Sequence, residues 1–125
     1  MRNKVLVIED EPIISEMMCI LLEIEGYKVI SLSNTSFARN KLQTQDIALV
    51  MLDVNLGGED GGSMCRYIKE QPEFQHIPVI LVSAHANLKQ IKEQCMADDY
   101  LVKPFELNDF VQKVNILARD FRQTA

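Results

Sequence analysis

The sequence predicts a doubly wound α/β domain: a five-stranded parallel sheet with helices on both faces. Three observations carry this reading. Short apolar runs rich in Val, Ile and Leu recur at 5–8, 47–52 and 79–82, bounded by acidic or glycine-rich turns, as strands buried on both faces are. Between them lie stretches whose apolar residues recur at spacings of three and four, the helical period. The alternation of strand and helix repeats five times within 125 residues, the length of one domain able to bury a core.

Val5–Ile8 is the first strand, meeting an acidic turn at Glu9, Asp10 and Glu11. Pro12 suits the first turn of a helix, and Ile13, Ile14, Met17, Met18, Leu21, Leu22 and Ile24 predict a buried amphipathic helix that Gly26 ends. Tyr27–Leu32 reads as the second strand. Ser33 to Ser36 offers caps for a polar, peripheral second helix with Phe37, Ala38 and Leu42 on its inner side. Ile47–Leu52 is the central strand and stops at a carboxylate, Asp53. A glycine-rich loop leads to a third helix from Ser63 to Glu70, which Pro72 ends. Val79–Ser83 is the fourth strand, Asn87–Cys95 a short fourth helix, and Tyr100–Val102 a brief fifth strand. Glu106–Phe121 is a long fifth helix with an inner face of Leu107, Phe110, Val111, Val114, Leu117, Ala118 and Phe121. Met17, Met18, Met51 and Met64 fall at apolar spacing and are read as core.

Composition narrows the function. A net charge of -5 with no Lys/Arg cluster argues against a nucleic-acid surface. Cys19, Cys65 and Cys95 are odd in number and widely spaced, with no C-x-x-C pair, so neither a disulfide framework nor a zinc site is indicated. They read as reduced packing residues of a cytosolic protein. The basic start, Met1 to Lys4, is followed by an apolar run that stops at Ile8, too short for a signal core or a membrane span. A cytoplasmic location without membrane attachment is the expectation.

Right-handed crossovers in such a sheet gather the loops that follow the strands along one edge. Glu9, Asp10, Asp53, Ser83 and Lys103 should therefore converge. A strand-terminal Asp alone is most often a turn residue. Three crowded carboxylates, however, repel one another unless cations compensate. Mg2+ prefers oxygen ligands, takes few of them from protein and keeps positions open for phosphate oxygens. Asp10 and Asp53 suit it as direct ligands, Glu9 through water, with a backbone carbonyl near Asn55 completing the set. Lys103 supplies a mobile point charge and Ser83 a hydroxyl. A carboxylate in that company is arranged to take a phosphoryl group as an acyl phosphate, and Asp53, on the central strand, is the acceptor of choice.

Four stretches together resemble the response-regulator receiver domain of two-component signalling: Val7–Pro12, Leu52–Gly61, Ile77–Ala84 and Asp98–Phe105. Each is weak alone; all four in order, spanning essentially the whole chain, are highly specific. The resemblance implies a flavodoxin-like (βα)5 fold with strand order 2-1-3-4-5. It implies Glu9 and Asp10 as the acidic metal-site pair, Asp53 as phosphoacceptor, Ser83 as switch hydroxyl, Lys103 as the companion lysine and Tyr100 as the aromatic switch residue. A cis bond at Lys103-Pro104 goes with it, only X-Pro making cis cheap. A histidine kinase or phosphotransfer domain is the implied donor, a downstream protein the target, and a monomer or weak dimer the expected state. Residues 1–125 are read as one receiver domain without an output domain.

The chain also departs from the family pattern. Leu56, Gly57 and Gly58 replace the common Leu-Pro-Gly and Glu59 stands where an apolar residue is usual, which predicts a looser loop. Gly62 after Gly61 weakens the start of the third helix. Ser83 to Lys103 is about two residues short of the family spacing, and Met96 occupies the place of a helix-closing glycine, so the fourth helix is expected to be short or differently ended. Asn55 and His85 lie two residues beyond Asp53 and Ser83, where the family tunes phosphate lifetime; His85 reads equally well as a solvated loop residue. His76 carries no assigned role.

Two other functions compete with a phosphoacceptor switch. A phosphatase with an Asp nucleophile wants a second acid two residues on, where this chain has Asn55. A phosphorylation-independent interaction module has no need of Glu9, Asp10, Asp53, Ser83 and Lys103 together. The reading is therefore a switch that signals by binding, with self-phosphorylation and slow self-dephosphorylation as its only chemistry.

Overall fold

The computed structural model describes residues 3–123 and, apart from Glu59 and residues 119–123, their side chains. Five strands form one parallel sheet: β1 (Lys4–Ile8), β2 (Lys28–Leu32), β3 (Ile47–Leu52), β4 (Val79–Ser83) and β5 (Asp99–Val102), in the spatial order β2-β1-β3-β4-β5. The helices are α1 (Pro12–Ile24), α2 (Ala38–Thr44), α3 (Gly61–Glu70), α4 (Leu88–Cys95) and α5 (Leu107–Gln123). β3 is central and every one of its residues is buried, because both of its faces are covered. On one face Val5, Leu49, Met51 and Ile80 meet Met18 and Leu22 of α1 and Phe110, Val114 and Ala118 of α5. On the other, Leu6, Val50, Leu52 and Leu81 meet Leu42 of α2, Cys65 and Ile68 of α3, and Leu88 and Cys95 of α4. Truncating such a leucine to alanine costs about 2–5 kcal/mol.

The register sets the functional edge. Ile8 pairs with Leu52, Leu52 with Leu81, and Ser83 with Val102. Backbone bonds continue past the strand ends, from Glu9 N to Leu32 O, Asp53 N to Ile8 O (both 3.0 Å) and Lys103 N to Ser83 O (2.9 Å). Residues that follow strands in sequence thus stand side by side.

Several expectations need correction. In α1 only Met18 and Leu22 are buried; Ile13 is 82% exposed and Ile24 73%. At 3.6 residues per turn these two lie roughly 220–240° round the helix from Met18, on the outer side, although their spacing looks amphipathic. Phe37 is exposed because α2 begins only at Ala38, leaving Phe37 before the first turn, and Ala38 and Leu42 alone face the core. Leu107, at the start of α5, is also exposed, and the inner face begins with Phe110; Phe121 lies outside the described side chains. Met18 and Met51 are core, whereas Met17 and Met64 are half-buried.

The loop after Asp53 is not loose. Asn55–Leu56 and Glu59–Asp60 pair as a small antiparallel hairpin, register Asn55 with Asp60. Gly57 and Gly58 form its two-residue turn with φ of 55° and 100°, the two positive values that such a turn demands. α3 starts two residues ahead of the expected Ser63, since the Asp60 carboxylate caps it by accepting from Gly62 N at 2.9 Å and Ser63 Oγ at 2.9 Å. Nor does Met96 deny α4 its left-handed end: it adopts φ 64°, ψ 28° itself. Ala97 N donates to Lys92 O at 3.0 Å, and Asp98, joined to Val79 N (2.7 Å) and Lys69 (2.6 Å), pins the chain just beyond.

Candidate functional site: a buried carboxylate and its neighbours

Asp53 follows the central strand β3 and remains 4% exposed. Its Oδ1 accepts the Asn55 N–H at 2.9 Å, the local consequence of a carboxylate opening a turn. Its Oδ2 accepts from Lys103 Nζ at 2.9 Å. Lys103 follows β5, two strands away, and also stands 2.6 Å from Glu9 Oε1 and 3.8 Å from Glu11 Oε1. Glu9 follows β1 and is 3% exposed, with its Oε2 accepting from Glu11 N at 3.3 Å. Ligand oxygens of Glu9, Asp10 and Asp53 all lie within 4.8 Å of one another.

The electrostatics show one cation doing the work of two. Burial pushes the Glu9 carboxyl up to about 7; its ion pair with Lys103 pulls the other way and the Asp53 charge adds to the rise. Burial works to lower the Lys103 pKa, but the bonds to Glu9 and Asp53 outweigh it and the net shift is upward. Lys103 is thus a fixed positive charge, shared among acids that outnumber it. Although Lys103 Nζ is close to Glu9 Oε1, no hydrogen-bond donor among the described residues is aligned on that buried oxygen. Oxygen donors, an excess of negative charge and one under-satisfied buried carboxylate fit a hard divalent cation such as Mg2+.

The response regulator receiver domain model matches residues 5–115. The chain belongs to that family. The phosphate regulon transcriptional regulatory protein PhoB of Rhizobium meliloti is 31% identical over 121 residues, covering 95% of this chain and 53% of the relative. The chain spans about half the length of the curated relatives it matches. Among solved structures, the signal receiver domain of a signal transduction histidine kinase from Syntrophus aciditrophicus superimposes with a TM-score of 0.86 at 29% identity, covering 94% of this chain and 91% of that one. The receiver domain of sensor histidine kinase PA1611 from Pseudomonas aeruginosa has the same fold, with a TM-score of 0.84 at 23% identity over 94% of this chain and 98% of that one. That structure holds a magnesium ion coordinated in its active site cleft.

As a receiver domain, the chain brings Glu9, Asp10, Asp53 and Lys103 together directly, and the Lys103-Pro104 bond is cis. Ser83 ends β4 at the same edge, 1% exposed, but its hydroxyl accepts from His85 N at 3.3 Å, and no hydrogen bond joins it to Asp53 among the described residues. Tyr100 is separate from the acidic cluster. It pairs with Leu81 and is half-buried against the face of α2, α3 and α4, with Lys113 Nζ 5.7 Å from its ring centroid. His85 is half-buried, its Nδ1 accepting from Asn87 N at 3.0 Å at the start of α4. Asn55 is exposed.

Two close approaches escaped the sequence reading. A Cβ on Gly61 would lie 2.0 Å from Asp53 O, so only glycine lets α3 begin against the Asp53 backbone. A Cβ on Gly57 would lie 3.4 Å from Asp10 Oδ2. The signal for the second was present: two glycines between short arms is a hairpin pattern.

Proposed function

We propose that this domain is a magnesium-dependent phosphoacceptor switch whose acceptor is Asp53, charged by a phosphohistidine on a histidine kinase or phosphotransfer domain. The observation that carries the reading is the buried Asp53 carboxylate, joined to Lys103 at 2.9 Å and clustered with Glu9 and Asp10 at the end of the central strand. When bound between those acids, Mg2+ would supply charge neutralisation for phosphoryl oxygens. A carboxylate oxygen of Asp53 attacks phosphorus and the P–N bond breaks with its electron pair going to nitrogen; the donor ring carries a proton on its other nitrogen, so it leaves as neutral imidazole. Lys103, held within reach of Asp53, is placed to neutralise an oxygen of the acyl phosphate. Ser83 would exchange its bond from His85 N for a phosphoryl oxygen, and Tyr100, at the β5 edge, would change packing in response.

Asn55 borders the acceptor and is solvent-facing, which supports a part in setting phosphate lifetime. His85 has Nδ1 committed to Asn87, so any bond it makes to a phosphoryl group is through Nε2. The domain then acts by binding rather than by turning over a separate substrate, and is read as cytoplasmic and monomeric or weakly dimeric, without nucleic-acid or membrane contact of its own. Among the described residues no helix is long and apolar enough to cross a membrane. The donor is expected to dock along α1, whose outer residues Ile13 and Ile20 lie beside the cleft formed by Asp10, Pro12, Ser15 and Glu16.

Intact mass after incubation with magnesium and acetyl phosphate tests the reading. A phosphoryl adduct on the wild type and none on Asp53→Asn is the expected result. An unmodified wild type that also fails to bind beryllium fluoride overturns it.

A further inference from the structure

Cys65 of α3 and Cys95, the last residue of α4, are 30 positions apart in sequence and meet in the core between the two helices, 0% and 1% exposed. The Cys65 thiol donates to Cys95 O at 3.4 Å, and Cys95 Sγ stands 3.9 Å from Lys92 O. The two side chains also bond to each other, and the thiols titrate apart in consequence. Contact with Cys95, and then burial, push Cys65 up; contact with Cys65 lowers Cys95 to about 7 against the pull of burial, helped by the Ala97 N–H and the charge of Arg66. Ile68 and Leu88 fill the surrounding core without a reactive atom, so packing alone does not call for two adjoining sulfurs. Cys19 belongs to α1, across the sheet from both. The phosphoacceptor chemistry uses neither Cys65 nor Cys95.

We propose that Cys65 and Cys95 form a redox site, at which hydrogen peroxide converts the two thiols into an intramolecular disulfide that staples the end of α4 to α3. The inference stands independently of the phosphoacceptor reading. A disulfide forms only between cysteines whose backbones already stand close, a condition met by a thiol 3.4 Å from its partner's own carbonyl. Cys95, the thiolate of the pair, attacks one peroxide oxygen; the O–O bond breaks and hydroxide leaves, taking up the proton that Cys95 released. The Cys65 sulfur then attacks the sulfur of the Cys95 sulfenic acid, the S–O bond breaks, and the departing hydroxide takes the Cys65 proton and leaves as water. Two thiols and one peroxide give one disulfide and two waters, the sulfurs losing the two electrons that the peroxide gains. Burial selects the oxidant, since peroxide is little larger than water and bulky thiol reagents are shut out. In a reducing compartment such a bond is transient and signals rather than stabilises. α4 lies between Ser83 and Tyr100 in the chain, so a staple at its end restrains the stretch that joins them.

The test treats the folded full chain with hydrogen peroxide at neutral pH, removes the peroxide with catalase, then unfolds the protein in guanidinium with N-ethylmaleimide and reads the intact mass. Wild type and Cys19→Ser are run side by side, the second leaving only the pair to count. Before peroxide, Cys19→Ser should take up two maleimides. After it, the chain should take up none, weigh two hydrogens less, and yield on proteolysis a peptide joined through Cys65 and Cys95. Dithiothreitol should restore both additions. Hydrogen exchange in α4 should be slower in the oxidised chain than in the reduced one, a readout that needs no cysteine variant to fold. Retention of both maleimide additions after peroxide overturns the inference and leaves the pair as inert packing. A gain of oxygen without a cross-link, or a cross-link between two chains rather than within one, also overturns it.

Discussion

Lys103 Nζ stands 2.6 Å from Glu9 Oε1, although the two residues are 94 positions apart and follow strands that are not neighbours in the sheet. The pair crosses over β3 and β4 and encloses Asp53 between its members. It makes the cation-free site depend on pH. Glu9 titrates near 7 in the folded chain against an ordinary 4.5, so between those values the folded state holds a proton that the unfolded state has released. Metal-free stability should therefore fall as pH rises from about 4.5 to 7, by up to about 3 kcal/mol, and level off above. Glu9→Gln should flatten that slope in thermal melts from pH 5 to 8, and saturating Mg2+ should do the same in the wild type. A wild-type slope that persists in Glu9→Gln would assign it to other groups.

Removing the ammonium leaves its partners as buried acids without their cation. Lys103→Met is expected to lose about 3–5 kcal/mol of metal-free stability at pH 8. Mg2+ should then raise its melting temperature more than it raises that of the wild type, because it replaces the missing charge. Paired melts with and without Mg2+ measure this directly.

Gly61 and Gly62 are adjacent but should respond to alanine very differently. A methyl at Gly61 meets Asp53 O at 2.0 Å and Val54 Cα at 2.7 Å, both backbone atoms that cannot move aside. Gly61→Ala should destabilise by more than about 3 kcal/mol. A methyl at Gly62 meets chiefly Asp60 Oδ1, at 3.1 Å, the end of a side chain that can yield slightly. Gly62→Ala should fall within about 1 kcal/mol of wild type, helix propensity offsetting the adjustment. Urea midpoints for the two variants separate these outcomes.

Met96 holds a left-handed backbone at 50% exposure, so its side chain gives little packing in return for the conformation. Met96→Gly should stabilise the domain by about 0.5–1 kcal/mol, the relief of φ 64° exceeding the added chain entropy. The same change should slow hydrogen exchange in α4, whose end it relieves.

The strands and the acidic edge were legible in the sequence because their signals are local. Ile47–Leu52 is apolar without interruption, which only a strand covered on both faces requires, and the residue after each strand is placed by chain connectivity and right-handed crossovers. That determined the sheet and named Glu9, Asp10, Asp53, Ser83 and Lys103 as neighbours. The inner face of α1 was drawn too wide: the apolar residues from Ile13 to Ile24 spread more than halfway round the helix, and the sequence does not say which part of that arc rests on the sheet, a part that the structure shows to be Met18 and Leu22. Met96 was misjudged because a propensity weighs one residue, whereas the bonds from Ala97 to Lys92 and from Asp98 to Val79 and Lys69 hold the chain in place. The tertiary structure likewise decided that Glu9 titrates near 7 and that Gly57 lies against Asp10. Burial and close approach depend on residues far apart in the chain, and no window of sequence contains both partners.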